Sequence, residues 1–135
     1  MKVSWPVLIV SPDRENCRTI ASILDGWGLD ILCAATVAHA RRILLQRSVS
    51  MVFSEDCLSD GNYRDVLRAA KLGNPSAHVV VTSRRFDPDF YKQSSVAPPG
   101  TVEVIPCPCY LSDVQWAIVH AMRKAPLTAQ AARAE

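Results

Sequence analysis

The chain has 135 residues, of which 49% are hydrophobic and 21% are charged, and its formal net charge is +2. This length suits one domain with a sizeable core rather than two. The small charge gives no reason to expect nucleic acid or a membrane surface as a partner, and no apolar run approaches the roughly 20 residues that span a bilayer. The five cysteines are an odd number, which suits a reducing compartment. We therefore expect a cytoplasmic protein without a signal peptide.

The first half of the chain alternates buried strands with amphipathic helices. The apolar run Val7–Val10 predicts the first strand, and Asp13 is suited to cap the helix that follows. Leu29–Ala35 predicts a second strand, after which Thr36 caps a second helix. The stretch Val49–Gly61 begins as a third buried strand. It ends in a loop with three acidic residues, which are Glu55, Asp56 and Asp60.

The second half continues the same alternation. Tyr63–Leu72 predicts a helix, His78–Val81 a fourth strand and Thr101–Ile105 a fifth strand. Ser112 is suited to cap a final helix. Between the fourth and fifth strands, the sequence from Asp87 predicts only a short or irregular element, because prolines interrupt it.

Five strands that alternate with helices predict one α/β domain over residues 1–125, with residues 126–135 as a frayed tail. The right-handed crossover rule leaves few topologies, and we predict a doubly wound parallel sheet in 2-1-3-4-5 order. In that order the carboxyl ends of strands one, three, four and five meet at one edge, where sites form in such sheets. The candidate site residues at that edge are Ser11, Pro12, Asp13, Glu55, Asp56, Asp60, Thr82, Ser83, Cys107 and Pro108.

These strand ends resemble those of the receiver domain of two-component response regulators, from residue 6 to residue 124. In that family, strand one ends in an acidic pair that helps to hold Mg²⁺. Strand three ends in an aspartate that accepts a phosphoryl group. Strand four ends in threonine or serine, and strand five ends in Lys-Pro. The resemblance therefore implies a flavodoxin-like (βα)5 fold and a role in phosphorelay-type signal transduction.

This chain departs from the family at the residues that carry the chemistry. Ser11 and Pro12 stand at the positions of the acidic pair, and Glu55 stands at the acceptor position. Thr82 keeps the hydroxyl, but Cys107 replaces the lysine. Phosphoryl transfer depends on positioning and on neutralising the charge of the transferred oxygens. These departures predict a degenerate pseudo-receiver that is not phosphorylated.

Three interpretations of Glu55 remain open from the sequence. It is a solvated loop residue, or a static mimic of a phosphorylated aspartate that bonds to the Thr82 hydroxyl. Alternatively, the domain retains metal or phosphoryl chemistry, with Glu55, Asp56 or Asp60 as the acceptor.

Thiols suggest a further alternative, a redox or metal sensor. Cys57, Cys107 and Cys109 would border the same pocket in this topology, but their spacing is not Cys-x-x-Cys. The three histidines lie on separate predicted elements without a recognisable catalytic partner; they are His39, His78 and His120. We therefore expect no catalytic residue, no bound metal and no cofactor.

The last helix carries a candidate partner surface. With Val114 at the centre of its buried stripe, Trp116 lies about 200° away, beside Arg123, and so points outward. Tryptophan and arginine are enriched in interface hot spots. In receiver domains the face of helix four, strand five and helix five commonly carries dimer or effector contacts, which points to the same place. We therefore interpret the chain as a signalling module that binds a protein partner or forms a homodimer through this face. It is not expected to be an enzyme.

Overall fold

The computed structural model describes residues 5–84, 102–107 and 109–124. The strands are β1 (Pro6–Val10), β2 (Asp30–Ala34), β3 (Met51–Glu55), β4 (Cys57–Leu58), β5 (Gly61–Asn62), β6 (His78–Ser83) and β7 (Val102–Pro106). The helices are α1 (Arg14–Asp25), α2 (Val37–Gln46), α3 (Tyr63–Gly73) and the C-terminal helix (Leu111–Lys124). The element predicted from Asp87 and the tail over residues 126–135 lie outside the described residues.

The main sheet has five parallel strands in the order β2-β1-β3-β6-β7. Without the two-residue strands β4 and β5, this is the predicted 2-1-3-4-5 order, so the flavodoxin-like fold is confirmed. β4 and β5 pair with each other as a small antiparallel hairpin, which is not apparent from the sequence pattern. β3 lies at the centre, and all five of its residues are buried, as expected for a parallel strand covered on both faces.

Helices cover both faces of the sheet, and each face has its own core. On one face, Ile20 and Leu24 of α1 pack in one cluster with Ile118 of the C-terminal helix. On the other face, Leu44 of α2 packs in one cluster with Leu67 of α3. None of the helices in the described part of the chain is both long and apolar enough to cross a bilayer.

Side-chain caps begin α1 and α2 where the sequence predicts them. The predicted cap Ser112 is wrong, because the C-terminal helix begins one residue earlier, at Leu111. The Asp13 carboxylate accepts a hydrogen bond from the Glu15 N–H at 2.9 Å, and the Thr36 hydroxyl accepts one from the His39 N–H at 3.1 Å. Both bonds satisfy N–H groups that the first helical turn leaves without a partner. The predicted caps of α1 and α2 are therefore confirmed.

Candidate functional site at the carboxyl ends of the strands

The candidate site lies at the carboxyl edge of the sheet, where β1, β3, β6 and β7 end. The parallel register places Glu55 beside Thr82 on the neighbouring strand. After β7, the Cys107 N–H donates a hydrogen bond to the Ser83 carbonyl at 2.9 Å. The fold thus brings together the strand ends that the sequence singled out. Pro108 lies outside the described residues.

The Glu55 carboxylate is at the centre of this edge. Glu55 is only 8% exposed, and its Oε2 accepts a hydrogen bond from the Ser11 hydroxyl. The side-chain amide of Asn16 lies 3.4 Å from the same Oε2 and 3.4 Å from the Ser11 Oγ. A buried carboxylate needs such partners, because desolvation without hydrogen bonds is costly. We call Ser11, Asn16 and Glu55 the buried polar cluster.

Two expectations about the contacts of Glu55 are wrong. Glu55 is not a solvated loop residue, because it ends β3 and is buried. It does not bond to Thr82 either, since the buried Thr82 Oγ1 has no hydrogen-bond partner among the described residues. The residue at position 11 explains why the Glu55 carboxylate is buried beside Ser11 rather than bonded to Thr82. A second carboxylate at that position would repel Glu55, whereas the serine hydroxyl donates a hydrogen bond to it.

The other two acidic residues near this edge have partners outside the buried polar cluster. Asp13 caps α1, and its Oδ2 lies 2.9 Å from Nη2 of Arg84. Asp56 accepts a hydrogen bond from the Ser83 hydroxyl at 3.1 Å. The exposed Pro12 follows Ser11 and leads into α1. The carboxylates at this edge therefore act separately rather than as one acidic group.

Asp60 belongs to the start of α2. Its two carboxylate oxygens accept hydrogen bonds from the N–H groups of Val37 at 2.8 Å and Ala38 at 3.0 Å. These bonds at the positive end of a helix hold the pKa of the Asp60 carboxyl below its ordinary value. Asp60 therefore lies apart from Glu55 and Asp56, because the turn between β4 and β5 places its carboxylate at the N-terminus of α2.

The family resemblance implies a Mg²⁺ ion at this edge, but the donors present do not fit one. Mg²⁺ requires near-octahedral oxygen ligands and is usually held by one or two carboxylates. The Ser11 hydroxyl donates a hydrogen bond to Glu55. The Asp13 carboxylate accepts a hydrogen bond from the Glu15 N–H at the start of α1 and forms an ion pair with Arg84. Among the described residues, no three acidic, histidine or cysteine donors converge at this edge.

Cys57, Cys107 and Cys109, which were predicted to border one pocket, form neither a disulfide nor a shared metal-binding group within the described residues. All are free, Cys57 is exposed, and Cys107 and Cys109 are buried. Their sulfur atoms do not converge into a metal-binding group in the described part of the chain. Burial raises the pKa of Cys107 and raises that of Cys109 to about 12. Protonated thiols are poor nucleophiles and ligands, so this arrangement does not support a thiol-based sensor.

Sequence reasoning missed Asn16. It is 6% exposed and lies on the buried face of α1 together with Ile20 and Leu24. The available signal was its position four residues before Ile20, in register with the apolar stripe. The next residue, Cys17, is only half-buried.

The predicted partner surface lies on the C-terminal helix. Trp116 is 60% exposed, whereas Val114 and Ile118 are fully buried, which agrees with the helical geometry expected from the sequence. The Trp116 ring stacks on the His120 ring, with centroids 5.9 Å apart and an interplanar angle of 30°. The helix includes Arg123, but the side chain of that residue lies outside what the structure describes.

Solved structures of the same fold include response regulator receiver domains. The chain is similar to a response regulator receiver protein from Sinorhizobium medicae WSM419 (TM-score 0.77, 15% identity), over 89% of this chain and 95% of that chain. It is similar to a response regulator receiver domain protein from Clostridium thermocellum (TM-score 0.76, 20% identity), over 92% and 98%. It is also similar to an adenylate cyclase from Rhodopirellula baltica (TM-score 0.78, 16% identity), over 97% and 96%. The protein therefore has the CheY-like fold of response regulator receiver domains.

No protein-family model matches the sequence, and no curated protein gives a significant match. At identities of this size, structural similarity establishes the fold alone. The likeness to an adenylate cyclase is likewise a likeness of fold, and a fold does not by itself imply a function. The function therefore depends on the residues of the site.

Proposed function

We propose that this chain is a degenerate receiver domain that transmits a signal by contact with a protein partner and is not itself phosphorylated. The buried polar cluster carries this proposal. Glu55 stands at the acceptor position, yet its carboxylate is buried and already hydrogen-bonded to Ser11. A phosphoryl acceptor has to meet its donor in line, with its oxygen accessible.

The charge at this edge supports the same conclusion. Phosphoryl transfer needs positive charge near the transferred oxygens. Cys107 stands at the position of the family's lysine, and burial raises its thiol pKa, so that it stays neutral at pH 7. Arg84, which follows β6, is paired with Asp13. The residues at the family's metal and lysine positions therefore supply no charge to stabilise a transferred phosphoryl group.

Incubation with acetyl phosphate and Mg²⁺ should leave the intact mass of the protein unchanged. The gain of about 80 Da that one phosphoryl group adds should be absent. The Glu55 carboxylate at the acceptor position is already hydrogen-bonded to Ser11, and Ser11 and Pro12 replace the acidic pair that holds the metal in the family. A functional receiver domain treated in the same tube is the positive control. A stoichiometric mass gain would overturn the proposal. Glu55→Gln, Asp56→Asn and Asp60→Asn would then identify the acceptor.

We propose that the partner contact includes the exposed face of the C-terminal helix. A tryptophan that is 60% exposed is unusual on a soluble domain, and tryptophan is enriched in interface hot spots. Its ring stacks on His120, and a contact that orders a side chain before binding lowers the entropic cost of using it in an interface. The occupant of this face is a signalling protein or a second copy of this chain.

Trp116→Ala should weaken self-association or partner binding by more than about 1 kcal/mol, the usual threshold for a contributing interface residue. Sedimentation measures the self-association, and a thermal melt of the same variant reports its fold. Leu72→Ala is a matched control, because Leu72 is an 87% exposed apolar residue on α3, on the other face of the sheet. If Trp116→Ala no longer shows a cooperative thermal unfolding transition while its self-association is unchanged, Trp116 stabilises the fold and the proposed surface is wrong.

A further inference from the structure

We propose that His78, Glu103 and His120 form a binding site for a divalent transition-metal ion, with Zn²⁺ as the model ion. The residues come from three elements, which are β6, β7 and the C-terminal helix. One nitrogen or oxygen atom from each lies within 4.8 Å of the atoms from the other two. No other trio of such donors in the described chain meets this condition.

The imidazole of His78 is the strongest indication of a ligand. His78 is 6% exposed, and its Nε2 lies 3.1 Å from Oε1 of Glu103. The distance satisfies an ion pair, but the contact lacks hydrogen-bond geometry, and Nε2 has no hydrogen-bond partner among the described residues. Buried polar atoms are rarely left without a partner. A metal ion between Nε2 and the Glu103 carboxylate would give Nε2 a partner.

The donor set fits a transition metal. Nδ1 of His120 contacts the same Glu103 oxygen as His78 does. Two imidazole nitrogens and one carboxylate oxygen are a common three-ligand set for tetrahedral Zn²⁺, with the fourth position left to water. Metal–ligand bonds of about 2.0–2.1 Å place tetrahedral donors roughly 3.3 Å apart, close to the 3.1 Å between His78 and Glu103. Imidazole ligands favour Zn²⁺, Cu²⁺ or Ni²⁺ over Mg²⁺.

Glu103 is half-buried between the two histidines and contacts both of them through Oε1. The alternative to a metal is that Glu103 bridges the two imidazoles as a purely protein network.

This site is separate from the buried polar cluster and does not depend on the proposed function. His78 is the first residue of β6 and Glu103 the second of β7, so both lie toward the amino ends of their strands. The buried polar cluster lies at the carboxyl ends of the strands. His120 also stacks on Trp116. An ion that fixes His120 would hold the Trp116 ring as well, which connects the metal site to the exposed face of the C-terminal helix.

Isothermal titration of the untagged protein with ZnCl₂ tests the site directly. We expect one Zn²⁺ per chain, and His120→Ala and Glu103→Gln should each weaken binding by about 100-fold, since even outer-shell partners contribute 10–100-fold. The His120 side chain is 34% exposed, so its replacement should leave the fold intact, which circular dichroism checks. His39→Ala is the matched control, because His39 is an exposed histidine on α2, and it should bind Zn²⁺ like the wild type.

Co²⁺ separates histidine ligation from binding to the exposed thiols, because a thiolate ligand adds strong sulfur-to-metal absorption in the near ultraviolet. We expect Co²⁺ to bind without that absorption. Absence of Zn²⁺ binding, equal loss in His39→Ala and His120→Ala, or a thiolate signal would each overturn the proposal. In those cases Glu103 only bridges the two histidines.

Discussion

Ser11→Ala should lower the free energy of unfolding by about 2–3 kcal/mol, the cost of leaving a buried charged acceptor without its donor. The Ser11 hydroxyl donates to Glu55, and both residues are buried. Removal of the hydroxyl leaves that carboxylate with the Asn16 amide, at 3.4 Å, as its remaining hydrogen-bond donor among residues 5–84, 102–107 and 109–124. Urea unfolding followed by circular dichroism measures the loss.

A double-mutant cycle tests whether the loss of stability in Ser11→Ala comes from the interaction between Ser11 and Glu55. Glu55→Gln alone should cost less than about 1 kcal/mol, because the amide keeps the shape and a carbonyl acceptor for Ser11. The double variant should therefore lose less than the sum of the single losses. Part of the Ser11 effect should remain, since its Oγ also accepts a hydrogen bond from the Asp13 N–H at 3.1 Å. Strict additivity would show that Ser11 and Glu55 do not interact.

Ile118→Ala should cost about 2–5 kcal/mol, the range for deleting a buried aliphatic side chain and leaving a cavity. Ile118 is fully buried and packs with Ile20, Leu24 and Val114 in the core between α1 and the C-terminal helix. Urea unfolding monitored by circular dichroism gives the difference from the wild type.

Trp116→Ala is the comparison on the same helix. Because Trp116 is exposed, its loss should change the free energy of unfolding by less than about 1 kcal/mol. The two variants together separate the face that holds the helix to the sheet from the face available to a partner. A larger stability loss for Trp116→Ala than for Ile118→Ala would mean that these faces are assigned in reverse.

The fold could be predicted because the strong patterns in the sequence are local. The apolar runs before Ser11 and before Glu55 predict buried strands, and their alternation with amphipathic segments leaves few parallel topologies. Asp13 and Thr36 were suitable caps by residue type alone. The β4–β5 hairpin was missed because two-residue strands are too short to show a hydrophobic period.

The site was predicted as a set of neighbours but not as a set of contacts. Sheet topology brings Glu55 beside Thr82, but the strand order does not say toward which neighbour a side chain turns. For Glu55, that direction depends on the Ser11 hydroxyl, which follows β1, and on the Asn16 amide in α1. His78 and His120 meet only because β6 and the C-terminal helix pack together, and their separation in sequence matches no metal motif.

The central claim is that the carboxyl edge of this domain is held in one state by its own side chains. Backbone amide spectra of the protein with and without acetyl phosphate and Mg²⁺ test it most directly, because they report the Ser11, Glu55, Asp56, Thr82 and Ser83 positions individually. We expect the two spectra to superimpose at these amides, while Glu55→Gln shifts the signals of Ser11 and Asn16. Donor-dependent shifts at Glu55, Asp56 and Thr82 in the wild type would contradict the account and show a working, switchable receiver.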